Sequence, residues 1–239
     1  MRLLAVETST LTGALALLDG ETLIAESRFN VAVTHGERLL AAVDALLTGA
    51  RWRVADLDAL AVAIGPGSFT GLRIGVSTVK GLAFATGKPV VAVPTLDALA
   101  WNVPFAGRPV CPILDAKKGE VYTALYLTQD GRLDRLSPDR AVAPEALVEE
   151  LARDPGGPIV FVGDGVAPHA ALLRDALGAG AWLAPPGCRL PSAASVADLA
   201  RRALARGEAA DPASLVPRYV RRSEAELARE RRQHVGDPH

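Results

Sequence analysis

Three features of the sequence predict an α/β protein of two lobes built on one plan. Apolar runs divided by Asp-Gly turns open the chain, helices and strands alternate after them, and the second half opens in the same strand, turn, strand order. The 239 residues are 49 % apolar with a mean hydropathy of +0.20, enough to bury a sizeable core. Charged residues are 22 % and the net charge is −1, which excludes a disordered chain. The same balance argues against a protein that grips nucleic acid alone over a broad basic face. Cys111 and Cys188 are far apart and outside any CxxC, so no disulfide framework is expected. The start reaches Glu7 after only four apolar residues, unlike a secretion signal, and no stretch is apolar for long enough to span a membrane. A cytoplasmic protein is expected.

The elements follow in order. Leu3 to Val6 predicts a strand, and Ala14–Leu18, Asp19-Gly20 and Thr22–Phe29 predict a hairpin, because a type I′ turn needs positive φ at both central residues. Thr34 with Glu37 three residues on has the form of a capping box. Leu39, Leu40, Val43, Leu46 and Leu47 then recur at helical spacing until Gly49. Leu57 to Ile64 reads as a buried strand that runs into Gly65-Pro66-Gly67-Ser68-Phe69-Thr70-Gly71 and a helix over about 70–86. Val90–Val93 predicts a strand, and Thr95 a helix cap ahead of Trp101. Residues 1–103 are assigned to the first lobe.

Pro104–Pro109 reads as a linker. Strands are predicted over Val110–Asp115, Glu120–Leu127 and near Leu133, with turns at Lys117-Lys118-Gly119 and Asp130-Gly131. Pro144 opens a helix to about Arg153, Ile159–Val162 is a strand, His169–Leu177 a short helix, and Ser192 or Ser195 caps a helix to Arg206. Residues 104–217 make the second, smaller lobe. The remaining 218–239 form a basic tail, with Arg218, Arg221, Arg222, Arg229, Arg231 and Arg232 against Glu224, Glu226 and Glu230. Such a tail either stays solvated or touches RNA phosphates or an acidic partner.

The strongest local signal for chemistry is the glycine-rich segment. A strand, a glycine turn and a helix start converge N–H groups on an anion. It is not a Walker loop, since Thr70 stands five residues after Gly65 and no lysine follows, and Pro66 and Thr70 exclude a nucleophile elbow around Ser68. The plainer alternative is a tight turn with Ser68 or Thr70 as helix cap. His35 has Leu39 four residues on, and His169 has Leu173, so neither makes a metal-binding pair; His234 and His239 fall in the tail. No metal site and no catalytic set can be assembled. Glu7 and Asp115 are acids that close the opening strands of two similar halves, Asp115 beside Lys117, Lys118 and Glu120. On the helix from Thr70, Leu72, Val76, Val79 and Ala83 should face the lobe's own sheet. Gly71, Gly75 and Thr78 form a small-residue stripe open to another helix. The surplus apolar surface of the two helices suggests either a docking face or packing against each other.

Gly65-Pro66-Gly67-Ser68-Phe69-Thr70-Gly71-Leu72-Arg73-Ile74-Gly75 resembles the signature of the bacterial TsaB family, also called YeaZ. Leu3 to Ser9, Ile113 to Tyr122 and Pro217-Arg218-Tyr219-Val220-Arg221 agree with it, so the resemblance covers the chain to about Arg222. It implies two RNase H-like lobes of the actin/Hsp70/sugar-kinase (ASKHA) superfamily. It also implies a cytoplasmic, non-catalytic part in making threonylcarbamoyladenosine on the adenosine next to the anticodon of tRNAs that read ANN codons. The transfer belongs to a paralogue, TsaD, whose metal-binding histidine pair is replaced here by His35 and Leu39. TsaD and the ATPase TsaE are the implied partners, with tRNA contacted only within the complex and a homodimer open to the isolated chain. The implied partner face holds Leu39, Val43, Leu46, Gly71, Gly75 and Thr78. Glu7, Thr8, Asp115, Gly163 and Gly165 echo a nucleotide or anion site with room for weak ATP or ADP binding and no resident cofactor. The alternative is an ATP-binding or hydrolysing enzyme of the superfamily, or a glycoprotease-like peptidase.

Overall fold

The computed structural model describes residues 1–30, 36–153 and 156–220. The Thr34 cap, His35, His234, His239 and the tail beyond Val220 lie outside them. The first sheet has the order β3-β2-β1-β4-β5, from β1 (Arg2–Glu7), β2 (Thr12–Asp19), β3 (Thr22–Asn30), β4 (Ala59–Gly65) and β5 (Val90–Pro94). β1 pairs antiparallel with β2, Glu7 opposite Ala14, and parallel with β4, Val6 opposite Val62. The central strands are buried on both faces, which is why they read as nearly unbroken apolar runs.

Residue parity sorts the two faces. Leu4, Val6, Leu15, Leu17, Leu60 and Val62 pack under α1 (Gly36–Gly49) and α2 (Phe69–Thr86) with Leu39, Val43, Leu47, Val76 and Val79. The opposite face is rich in alanine: Ala5, Ala14, Ala16, Ala59, Ala61 and Ala63, with Leu3 and Leu18. Small side chains let α6 (Ala193–Ala205) lie close on it through Ala193, Val196, Ala197 and Ala200. Each fully buried Leu or Val here contributes about 1.5–3 kcal/mol.

The docking of α6 corrects the expected boundary at residue 217. Residues 193–218 belong to the first lobe, because the apolar face of the sheet of residues 1–94 is covered mainly by this returning helix, with Ala98 of the helix after β5 beside it. Beyond α6, Ala210 N–H donates to the Val90 carbonyl at 2.7 Å, Leu215 is buried in the α1–α2 core, and Arg218 N–H donates to the Ile64 carbonyl at 2.7 Å. Arg218 is thus fixed on the first lobe rather than part of a free tail.

The second sheet runs β10-β7-β6-β11-β12, with β8 on β6 and β9 on β8. Its strands are β6 (Arg108–Lys117), β7 (Glu120–Thr123), β8 (Tyr126–Gln129), β9 (Arg132–Arg135), β10 (Arg140–Val142), β11 (Ile159–Val162) and β12 (Ala181–Leu183). The expected Glu120–Leu127 strand is two strands. β7 pairs with Ile113–Lys117 and β8 with Arg108–Val110. Between them Leu125 turns aside to exchange hydrogen bonds with Leu136 and Ser137. One face of this sheet packs on α4 (Pro144–Arg153) and α5 (Ala170–Leu177), and the other on α3 (Thr95–Ala100). Ser68 and Ser192 cap α2 and α6, as their positions predict. Thr95 does not cap α3; it is the first helical residue, and its hydroxyl accepts from Gly65 N–H at 3.1 Å.

Candidate functional site: the cleft between the lobes

β1 and β6 end side by side at a cleft of about 660 Å³. The turn after β1, the start of α2, the β6–β7 hairpin, Asp164 and Tyr219 line it. Ser9, Thr10, Thr12, Ser68 and Thr70 give one wall a row of hydroxyls, and Asp115, Lys117, Lys118 and Tyr122 face them from the second lobe. Phe69 and Tyr219 stack with centroids 5.0 Å apart, and Arg73 lies 4.3 Å over the Phe69 ring.

Only one of the five residues expected of a nucleotide or anion site lines this cleft. Asp115 is 46 % exposed at its side chain. Burial pushes its carboxyl up, but hydrogen bonds from Lys117 Nζ at 2.5 Å and Lys117 N–H at 2.7 Å outweigh that and hold it below the usual range. Glu7 lies behind the wall, 0 % exposed. Its Oε1 accepts from Ser9 N–H at 2.7 Å, and its Oε2 has no partner among the described residues. Burial raises its pKa to about 7; Ser9 opposes this and the charge of Asp164 adds to it. Thr8 is buried and donates its hydroxyl to the Gly71 carbonyl at 2.8 Å.

Gly163 and Gly165 are packing residues. A Cβ on Gly163 would stand 2.1 Å from the Ile113 carbonyl oxygen, and one on Gly165 2.9 Å from it. These glycines let the turn after β11 ride directly on β6. Asp164 between them accepts from Asp115 N–H at 2.9 Å, with its own pKa raised by burial. The two-lobed fold implies a metal–nucleotide in such a cleft, and this set does not fit one. One carboxyl is buried and protonated up to near neutrality, another is paired with Lys117, and the two glycines pack on Ile113 instead of lining the cleft. Among the described residues no three metal-ligating side chains come together.

The comparisons with known proteins bear on this geometry. Residues 30–229 match the family model described as TsaD: tRNA N6-adenosine threonylcarbamoyltransferase. A Bacillus subtilis (strain 168) protein named tRNA threonylcarbamoyladenosine biosynthesis protein TsaB is 36 % identical over 226 residues, 95 % of this chain and 96 % of that one. The chain belongs to the TsaB family. The Escherichia coli (strain K12) TsaB protein is 32 % identical, over 94 % of this chain and 96 % of its own. The structure of YeaZ from Pseudomonas aeruginosa superposes with a TM-score of 0.78 at 31 % identity, covering 91 % of this chain and 99 % of that one. The (R)-2-hydroxyglutaryl-CoA dehydratase component A of Acidaminococcus fermentans, at TM-score 0.52 and 12 % identity over 86 % of this chain and 99 % of that one, shows a likeness of fold alone.

The residues expected on the TsaB-family partner face are divided by the structure. Leu39 and Val43 sit in the core under the first sheet, drawn in by the apolar face of β1 and β2. Gly71 and Gly75 are also interior. A Cβ on Gly71 would meet the Thr8 carbonyl oxygen at 2.0 Å, and one on Gly75 the Thr8 hydroxyl at 2.2 Å. Their smallness admits the chain's own β1–β2 turn, not a second protein's helix. Leu46 and Thr78 remain half-buried, with Ala42, Ile74 and Leu82 beside the core and Leu40 48 % exposed. Phe69 and Tyr219, which sequence reasoning missed as cleft residues, each lie inside a quoted motif; nothing in the sequence pairs them.

Proposed function

We propose that the chain is a non-catalytic subunit in the formation of threonylcarbamoyladenosine on tRNA. It docks on the catalytic paralogue TsaD through the half-exposed surface of α1 and α2, with the ATPase TsaE as the third component. The modified base is the adenosine next to the anticodon of tRNAs reading ANN codons, and tRNA is met only within the complex. The observation that carries the reading is the near full-length likeness to proteins named TsaB. The cleft supports it: its carboxyls are buried or already paired, so a non-catalytic role needs nothing from them. The half-exposed Leu46, Ile74, Thr78 and Leu82 and the exposed Leu40 leave apolar surface for a partner helix, or for a second copy when TsaD is absent.

Light scattering of the chain mixed with TsaD of the same organism tests this. A stable complex is expected, weakened about tenfold or more by Leu40→Glu or Thr78→Arg. Gly75→Arg is unsuitable, because it would drive a side chain into Thr8. A complex unmoved by both variants would put the interface elsewhere, and no complex at micromolar concentrations would overturn the partnership. Turnover of ATP with magnesium by the chain alone, abolished by Asp115→Ala, would overturn the non-catalytic reading.

A further inference from the structure

The stretch that follows α6 has a role that neither the family likeness nor the docking face explains. Its first part is anchored deeply. Ala210 bridges to Val90, Lys80 Nζ donates to the Ala213 and Leu215 carbonyls at 2.7 and 3.4 Å, and Leu215 is buried. From Val216 onward the chain rises to the surface, yet Arg218 N–H still adds to the end of β4. The strap lies so close there that a Cβ on Gly65 would stand 2.5 Å from the Arg218 carbonyl oxygen.

At Arg218 the strap leaves one lobe and grips the other. Its guanidinium lies 3.2 Å from Oδ2 of Asp139, on the segment between β9 and β10, off the line a hydrogen bond needs. The Asp139 side chain is 1 % exposed and is also paired with Arg135, which in turn pairs with Asp97 of α3. Charges therefore alternate along Asp97, Arg135, Asp139 and Arg218; Asp139 is the buried member, Asp97 and Arg135 are 24 % and 29 % exposed, and Arg218 at the outer end is 46 % exposed. The next residue, Tyr219, stacks on Phe69, and both rings line the cleft.

We propose that residues 210–219 form a latch between the lobes, in which the Arg218–Asp139 ion pair holds Tyr219 on Phe69 as the outer wall of the cleft. Loss of the pair releases the strap from the second lobe, while the anchor at Leu215 and the Arg218 N–H bond to Ile64 stay seated. The cleft then opens along that wall, and the lobes lose one of their ties. Because the Arg218 end is exposed, salt weakens it more than the inner pairs. The inference is independent of the proposed partner.

Hydrogen exchange of the full-length chain tests the latch. Arg218→Ala should raise exchange about fivefold in the two cleft-lining segments, 10–13 with 67–70 in the first lobe and 116–119 in the second, leaving α6 and β11 within about twofold. Arg218→Lys should restore most of the protection. Raising salt should reproduce the effect in the unaltered chain and add nothing in Arg218→Ala. Tyr219→Ala, which spares the ion pair, should loosen 67–70 and leave 116–119 unchanged. No change at the cleft in Arg218→Ala would overturn the latch. So would an equal rise in α6 and β11, which would make the pair a contribution to global stability alone.

Discussion

At the end of β1, Glu7 accepts a 2.7 Å hydrogen bond from the amide two residues on, and at the end of β6 Asp115 does the same with Lys117. Each strand end is also pressed against glycines of its own lobe, Gly71 and Gly75 on Thr8, Gly163 and Gly165 on Ile113. The backbones repeat one design, but the side chains do not. Asp115 reaches solvent and a lysine, whereas Glu7 is sealed behind Ser9 with one oxygen unpartnered among the described residues. A repeated strand end can thus keep its geometry while its carboxyl goes from an exposed ion to a buried acid. One more methylene and a neighbouring hydroxyl in place of Lys117 are the local differences.

The largest test of this likeness is steric. Gly71→Ala and Gly163→Ala should each cost about 3 kcal/mol or more in urea unfolding, since each Cβ would meet a backbone carbonyl that has nowhere to go. Gly163, at φ +111°, adds backbone strain and should be the worse of the two. If one variant proves neutral, the lobes do not share this contact.

The second test is the pH dependence of stability. The folded pKa of Glu7, about 7, lies above its ordinary 4.5, so the folded state holds a proton that the unfolded chain releases between these values. Stability should fall as pH rises from about 4.5 to 7 and level off above, a loss on the order of 3 kcal/mol. Glu7→Gln should remove that slope. Asp115 works in the opposite sense: its lowered pKa adds stability above the ordinary carboxylate range, lost as pH falls through it. Half-exposed as it is, Asp115→Asn should move stability by only a few tenths of a kcal/mol, about the value of a solvated pair. Equal pH slopes in the two variants would break the contrast between the lobes.

The smallest expected effect comes from Gly81, on the open side of α2, where a Cβ meets nothing within 4 Å. Gly81→Ala should stabilise the chain by about 0.5–1 kcal/mol, through helix propensity and a less free unfolded state.

The sequence made the first lobe legible where a period and a cap agree. The Ser68 cap and the stripe of Leu72, Val76, Val79 and Ala83 follow from local rules, and so does the first hairpin, although Asp19 pairs with Thr22 and the turn is Gly20-Glu21 with only Gly20 at positive φ. Gly71 and Gly75 were misread because a small-residue stripe states only that something comes close; whether that is a foreign helix or Thr8 depends on the path of β1. The same limit hid the destination of α6, whose alanine-rich stripe is amphipathic without naming a sheet. β10 and β12, three residues each, are too short for any alternation to register. In the cleft, Asp115 was visible as an acid in a turn. The burial of Glu7 was not, since it depends on α2 closing over the strand end.

The placement of α6 has a consequence for how the chain is made. The first sheet is complete once Pro94 has emerged from the ribosome, but the helix that covers its alanine face begins at Ala193. Roughly a hundred residues must be added in between, on the order of ten seconds of translation. Throughout that interval most of the face formed by Leu3, Leu18, Val91, Val93 and the alanines between them stands open to any sticky neighbour. Nascent chains stalled before Ala193 should therefore recruit chaperones, and those stalled well beyond Arg218 should let them go.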